Sequence, residues 1–148
     1  FFAFNARHEA IRDGHARRIG LAGIEYTVLI SIARLSADGD VNVKALAEHL
    51  HVSIGFITNT TRKLQEMGLV TKTPDPEDKR RIILAVTPEG RARLEQLAPW
   101  QRKVNDVEFG GLTAEEFRLL GRIVERLVET SEEAVELQRE LDGGDEAA

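Results

Sequence analysis

A mainly α fold with one small β-hairpin (α+β) is predicted by three features of this sequence. Apolar residues recur at helical spacing through most of its 148 residues. One pair of strand-like runs, 69–73 and 82–86, flanks a polar segment that carries two prolines. Cap and break signals fall where the apolar period lapses, at Asn42, Ser53, Gly68, Thr87, Gly110-Gly111 and Thr113.

Taken in order, residues 1–18 read as a helix with several basic side chains. Residues 24–35 place Ile24, Val28, Leu29, Ile32 and Leu35 on one helix face, and 36–40 form a turn. Asn42 caps a short helix whose Leu46, Ala47 and Leu50 face inward. His51-Val52 leads tightly into a second helix, capped by Ser53 and running to about Met67. On it Ile54, Ile57, Thr61 and Leu64 step by three and four, the pattern of a buried face. Gly68 suits the left-handed position that ends a helix. The two strand runs follow, and Pro74 and Pro76 between them exclude a central strand there.

Thr87 caps the next helix, with Pro88 at its first position. It is expected to reach about Val107, kinked or broken at Pro99. Thr113-Ala114-Glu115-Glu116 is a capping box for the last helix. Phe117, Leu120, Val124, Leu127 and Val128 share one face of that helix. A small lobe cannot cover this stripe, so a partner helix is needed, within the fold or across a dimer. The Phe1, Phe2 and Phe4 cluster points the same way. Beyond Leu141 an acidic tail rich in glycine and alanine is expected to fray.

Helix, tight turn, helix and hairpin within 42–86 compose a winged helix-turn-helix. Net charge is −5, a balance at odds with a nucleic-acid partner until its distribution is read. Residues 113–148 hold 11 acidic and 4 basic side chains, whereas 1–112 hold 14 and 16. The acid therefore lies mostly in the last helix and tail. With no cysteine, disulfides, thiolate zinc sites and thiol redox sensing are excluded, and a reducing cytoplasm is the expected location. No apolar run is long enough to span a membrane. Phe1-Phe2-Ala3-Phe4 is too short for a signal segment. Because the numbering opens on Phe1 rather than Met, a leader is expected upstream.

The chemistry sits on the second helix of the pair. Gly55, Asn59, Arg62 and Glu66 face outward, with Thr58 and Lys63 at the flanks. Asparagine reads adenine bidentately, and arginine or lysine reads guanine, so this face suits a major groove. The hydroxyls of Ser53 and Thr58, with the open N–H groups at the helix start, suit phosphate, and Gly55 permits close approach. At the hairpin tip Lys79, Arg80 and Arg81 can reach an adjacent minor groove, with Asp78 placed to hold the tip in shape.

These residues carry a resemblance. The stretches Val43-Lys44-Ala45-Leu46-Ala47-Glu48-His49-Leu50, Val52-Ser53, Ile57-Thr58, Lys63-Leu64 and Gly68-Leu69-Val70 resemble the MarR family of winged helix-turn-helix transcriptional regulators. Asp75-Pro76-Glu77-Asp78-Lys79-Arg80 and Thr87-Pro88-Glu89-Gly90 complete the pattern, and the tip is its most specific part. The resemblance implies one MarR-type unit over 1–148 that forms a homodimer on a pseudo-palindromic operator of double-stranded DNA. The DNA-binding lobe would be 21–98, and 1–20 and 99–148 would supply the dimerisation helices and acidic tail. It implies that Arg80 enters the minor groove supported by Asp78. It also implies repression relieved by a small aromatic or phenolic effector, an aromatic acid or aromatic acyl thioester, bound between dimer region and lobe. The chain departs from the family at Ala22, where a threonine cap is common, and at Lys79 and Arg81.

Other candidates keep two readings each. His8 and His15, seven apart on one helix face, could meet an anionic effector together with Arg18, or simply belong to an exposed basic helix. Tyr26 and Trp100 could line a pocket or pack in a core. His49 and His51 suit surface or capping roles better than metal ligation. No glycine-rich phosphate loop, nucleophile elbow or metal-ligand spacing is present, so neither catalysis nor a cofactor is expected. Two rivals stand beside the regulator: a winged helix used for protein interaction, and an enzyme acting on phenolic substrates.

Overall fold

The computed structural model describes residues 1–145. The elements run α1 Phe2–Arg18, α2 Gly23–Leu35, β1 Val41–Asn42, α3 Val43–Leu50, α4 Ile54–Glu66, β2 Val70–Pro74, β3 Ile82–Val86, α5 Pro88–Glu108 and α6 Ala114–Asp145. They form two compact units, Phe1–Val104 and Asn105–Ala148. No described helix is long and apolar enough to cross a membrane.

In the first unit α2, α3 and α4 surround a core in which Leu29, Ile32, Leu46, Ile57, Leu64 and Leu84 are fully buried. The helix starts are fixed by local chemistry. Asn42 accepts from the Ala45 N–H at 3.0 Å and Ser53 from the Phe56 N–H at 3.2 Å, satisfying first-turn donors. Ala22 has no side-chain oxygen to offer α2, but the Glu25 carboxylate accepts from its N–H at 2.9 Å, which supplies half a capping box. His51, in the connection between α3 and α4, is left-handed at φ 52°, an unusual conformation for a residue with a Cβ.

The sheet has three strands, one more than the expected hairpin. Val41 and Asn42 pair with Leu84 and Ile83, giving the antiparallel order β1-β3-β2. Strand β2 lies one residue later than expected and ends on Pro74, opposite Ile82. A proline is admissible there because β2 is an edge strand.

Helix α5 passes through Pro99 and ends at Glu108, one residue beyond the expected Val107, so of the kink or break expected at Pro99 the break does not occur. Proline removes one hydrogen bond, to the Glu95 carbonyl. Both residues lie on the exposed side, where water can take over. Thr87 locks the start of α5: its hydroxyl donates to the Gly68 carbonyl at 2.7 Å and accepts from the Gly90 N–H at 3.0 Å. Gly90 is required by space, since a Cβ would stand 2.5 Å from the Leu69 carbonyl oxygen and 2.7 Å from Val86 Cγ1. Backbone cannot yield as a side chain can. Gly90→Ala is therefore expected to lower stability by about 1–3 kcal/mol, read from a denaturant midpoint. An unchanged midpoint would show that β2 and α5 can separate freely.

In the second unit the Glu116 carboxylate accepts from the Thr113 N–H at 2.7 Å, and the Thr113 hydroxyl accepts from the Glu116 N–H at 3.2 Å. This is the expected capping box, and it holds the Glu116 carboxyl below its ordinary range. Phe109 and Phe117 meet edge to face across the turn. Helix α6 continues to Asp145, beyond the Leu141 limit expected from composition, because each added residue of a formed helix gains a hydrogen bond. The rest of the tail expected to fray, 146–148, lies outside the described residues.

Candidate nucleic-acid interface

Helix α4 buries Ile57, Thr60, Thr61 and Leu64 and exposes Gly55, Thr58, Asn59, Arg62, Lys63 and Glu66. Two buried threonines are tolerated because their hydroxyls donate back along the helix, Thr60 to Phe56 and Thr61 to Ile57. Thr61 also accepts from Lys72 Nζ at 3.1 Å, which ties β2 to α4. Ile54 corrects the expected buried face: it is 55% exposed, and Thr60 takes the buried place instead. Its position at the helix start lies past the edge of the stripe set by Ile57, Thr61 and Leu64.

At the start of α4, Ser53 uses an oxygen lone pair as cap, so its hydroxyl proton is left for a phosphate oxygen. The Ile54 and Gly55 N–H groups belong to the first turn and have no partner within the helix. A Cβ on Gly55 would meet nothing within 4 Å, so the backbone is open to close approach. Thr58 differs from the sequence expectation: its hydroxyl donates to the Ile54 carbonyl at 2.8 Å and offers no proton outward in this rotamer.

The wing tip is organised by two aspartates. Asp75 accepts from the Glu77 and Asp78 N–H groups at 2.8 and 3.4 Å, and it sits 3.6 Å from the Arg81 guanidinium. Arg81 is thus drawn into holding the loop. Asp75, part of the tip motif in the sequence, is an aspartate before proline, a turn signature, and its carboxylate closes the turn. Asp78 accepts from Arg80 three times, from its backbone N–H and Nε at 3.1 Å each and from Nη2 at 3.5 Å. The side-chain bonding, followed by the backbone bond, holds the Asp78 carboxyl below its ordinary value. The Arg80 side chain remains 92% exposed, and Lys79 is exposed beside it.

The candidate effector residues separate into two groups. His15, Arg18 and Trp100 line an open cleft of about 400 Å³ with Ile11, Gly14, Arg17 and Val104. The Arg18 guanidinium lies 4.1 Å over the half-exposed Trp100 ring. His15 is buried, edge-on to Tyr26, and its Nε2 has no hydrogen-bond partner among the described residues. Tyr26 does not line the cleft. It is buried and accepts from Gln101 at 2.9 Å, and burial pushes its phenol above the ordinary value. His8 is exposed and stacks on Phe4. Among the described residues no group of His, Asp and Glu could hold a metal ion, His49 and His51 included.

A helix-turn-helix whose second helix presents an open polar face, flanked by an arginine at the tip of a hairpin, defines a winged-helix DNA-binding protein. The family model described as "MarR family" matches residues 25–82. The HTH-type transcriptional repressor NicR of Pseudomonas putida is 26% identical over 128 residues, covering 86% of this chain and 79% of NicR. A mutant MarR from E. coli, crystallised with operator DNA, superposes with a TM-score of 0.72 at 24% identity, covering 85% of this chain and 89% of that one. Bordetella bronchiseptica BpsR, whose DNA binding is regulated by 6-hydroxynicotinic acid, superposes with a TM-score of 0.70 at 21% identity, covering 85% and 88%. Over residues 25–82 the chain is thus similar to the MarR family, and the relatives it resembles are transcriptional regulators.

Proposed function

We propose that this chain is a homodimeric repressor of the cytoplasm, binding a pseudo-palindromic operator and released by a small aromatic effector. The observation that carries this reading is the face of α4: Ile57, Thr60, Thr61 and Leu64 are consumed by the core, and Asn59, Arg62 and Lys63 stand exposed away from it. Residues 21–98 are the reading lobe, and 1–20 with 99–148 pair the protomers. Ser53 and the open N–H groups hold phosphate, Asn59 and Arg62 read base edges, and Arg80 enters the minor groove on the support of Asp78. The chain acts by binding and carries no catalysis.

The effector site is the cleft at His15, Arg18 and Trp100. An aromatic acid can place its ring on Trp100, where the guanidinium now lies, and pair its carboxylate with Arg18. The regulation of BpsR by 6-hydroxynicotinic acid supports that class of ligand.

A gel shift with a randomised palindromic duplex library at two salt concentrations tests the reading. Recovery of defined duplexes, bound much more weakly at the higher salt, is expected. Asn59→Ala and Arg62→Ala then relax base preference by about 1–3 kcal/mol per lost contact. Adding 6-hydroxynicotinate is expected to release the duplex and to alter the fluorescence of Trp100, the single tryptophan. Absence of any salt-dependent duplex binding would favour a winged helix that binds protein instead.

A further inference from the structure

Two large apolar side chains stand exposed in the first turn of α4, Ile54 at 55% and Phe56 at 40%. Neither is spent on the core, which takes Ile57 and Leu64 from the same helix and buries both completely. At about 100° per residue, Gly55 lies on the outward line with Asn59 and Arg62, and Ile54 and Phe56 stand to either side of it. Single exposed hydrophobics are ordinary. A pair that brackets the open glycine of a recognition helix is less so, because docked helix-turn-helix proteins use this turn to touch base edges.

The polar residues of α4 account for only part of a sequence. Asn59 suits adenine and Arg62 or Lys63 suits guanine. Thymine is distinguished in the major groove by its C5-methyl group, which needs an apolar partner that none of those side chains supplies. We propose that Ile54 and Phe56 read thymine by packing against these methyl groups on the two sides of the inserted turn. This rests on the DNA-binding reading above. It commits the exposed apolar pair to one occupant, because the pair is continuous with the polar face assigned to the same groove.

The test changes the DNA before the protein. Duplexes recovered from the randomised library by the wild-type chain are resynthesised with deoxyuridine for thymidine in one half-site, which removes only methyl groups. Wild-type affinity is expected to fall about fourfold for each methyl contacted, the scale of one buried methylene. In the Ile54→Ala/Phe56→Ala variant, binding is weaker and the difference between the two duplexes closes. Ile54→Val, which keeps most of the apolar surface, retains much of the difference. Equal wild-type binding to both duplexes would overturn the proposal, as would a difference that survives in the double variant. A change in the variant's mass by light scattering, with no methyl dependence, would likewise overturn it and give the pair to a second copy of the chain. If no duplex is recovered from the library, the DNA-binding reading falls and this proposal with it. If duplexes bind without methyl dependence, only the thymine contact falls.

Discussion

Arg80→Ala is expected to weaken operator binding by about 1.5–3 kcal/mol for each wing, the cost of losing a hydrogen-bonding charge from a contact. Both wings of a dimer lose it together, so the loss amounts to about two to four orders of magnitude. The slope of log affinity against log salt should shrink by roughly 0.9 for each arginine removed, or about 1.8 for the dimer. The weakening should be nearly uniform across sequences, unlike that of Arg62→Ala, which changes base preference. Titrating one duplex at three salt concentrations distinguishes the cases, and an unchanged slope would mean that Arg80 does not meet the backbone or groove. Asp78 enters through Arg80. Its carboxylate takes the guanidinium at 3.1 Å and the backbone N–H at the same distance, fixing where the exposed side chain starts. Asp78→Ala should therefore weaken binding in the wild-type background and do little when Arg80 is already alanine. The pH dependence has a definite sign. The Asp78 carboxyl is held below its ordinary value, so it stays charged through that range and releases Arg80 only as pH falls through the lowered value. Duplex binding should show no loss from this pair between neutral and mildly acid pH.

What was legible in the sequence was the chemistry that announces itself locally. Asn42, Ser53, Thr87 and Thr113 are oxygen-bearing caps, and each accepts the N–H its position implies. Gly68 is left-handed at φ 73°, as a helix-ending glycine should be. What stayed hidden depends mostly on tertiary neighbours. Strand β1 is two residues long, too short to show a period, and exists because β3 has an edge to offer. His51 is the left-handed cap that ends α3, with the Val52 N–H donating back to the Ala47 carbonyl at 3.0 Å, and it does so without being glycine or asparagine, the residues that announce such a cap. Ile54 fits the three-and-four stepping of its helix, and no local rule says where a buried stripe stops. Trp100 and Arg18 are 82 positions apart and meet only because α1 and α5 are brought together in the first unit. The candidate site divides the same way: the face of α4 follows from periodicity, whereas the cleft needs the fold.

The second large effect is expected from α6. Phe117, Val124, Leu127 and Val128 are all exposed in the single chain, as are Val135, Leu137 and Leu141 further along. A helix with an apolar stripe of that length buries it against another helix. In the proposed dimer that helix belongs to the partner, and pairing sets the two α4 helices about one DNA turn apart. Val124→Asp with Leu127→Asp places two carboxylates in the stripe, where burial without a partner is costly. The variant should sediment as a monomer while keeping its helical circular dichroism, since neither residue belongs to the core of the first unit. Operator affinity should fall by about 10²–10⁴, because one half-site no longer raises the effective concentration at the other. The loss should appear equally on every duplex that carries two half-sites and vanish on one that carries a single half-site. A variant that stays dimeric and binds normally would move the dimer contact elsewhere, to the exposed Phe1 and Phe2 at the start of α1.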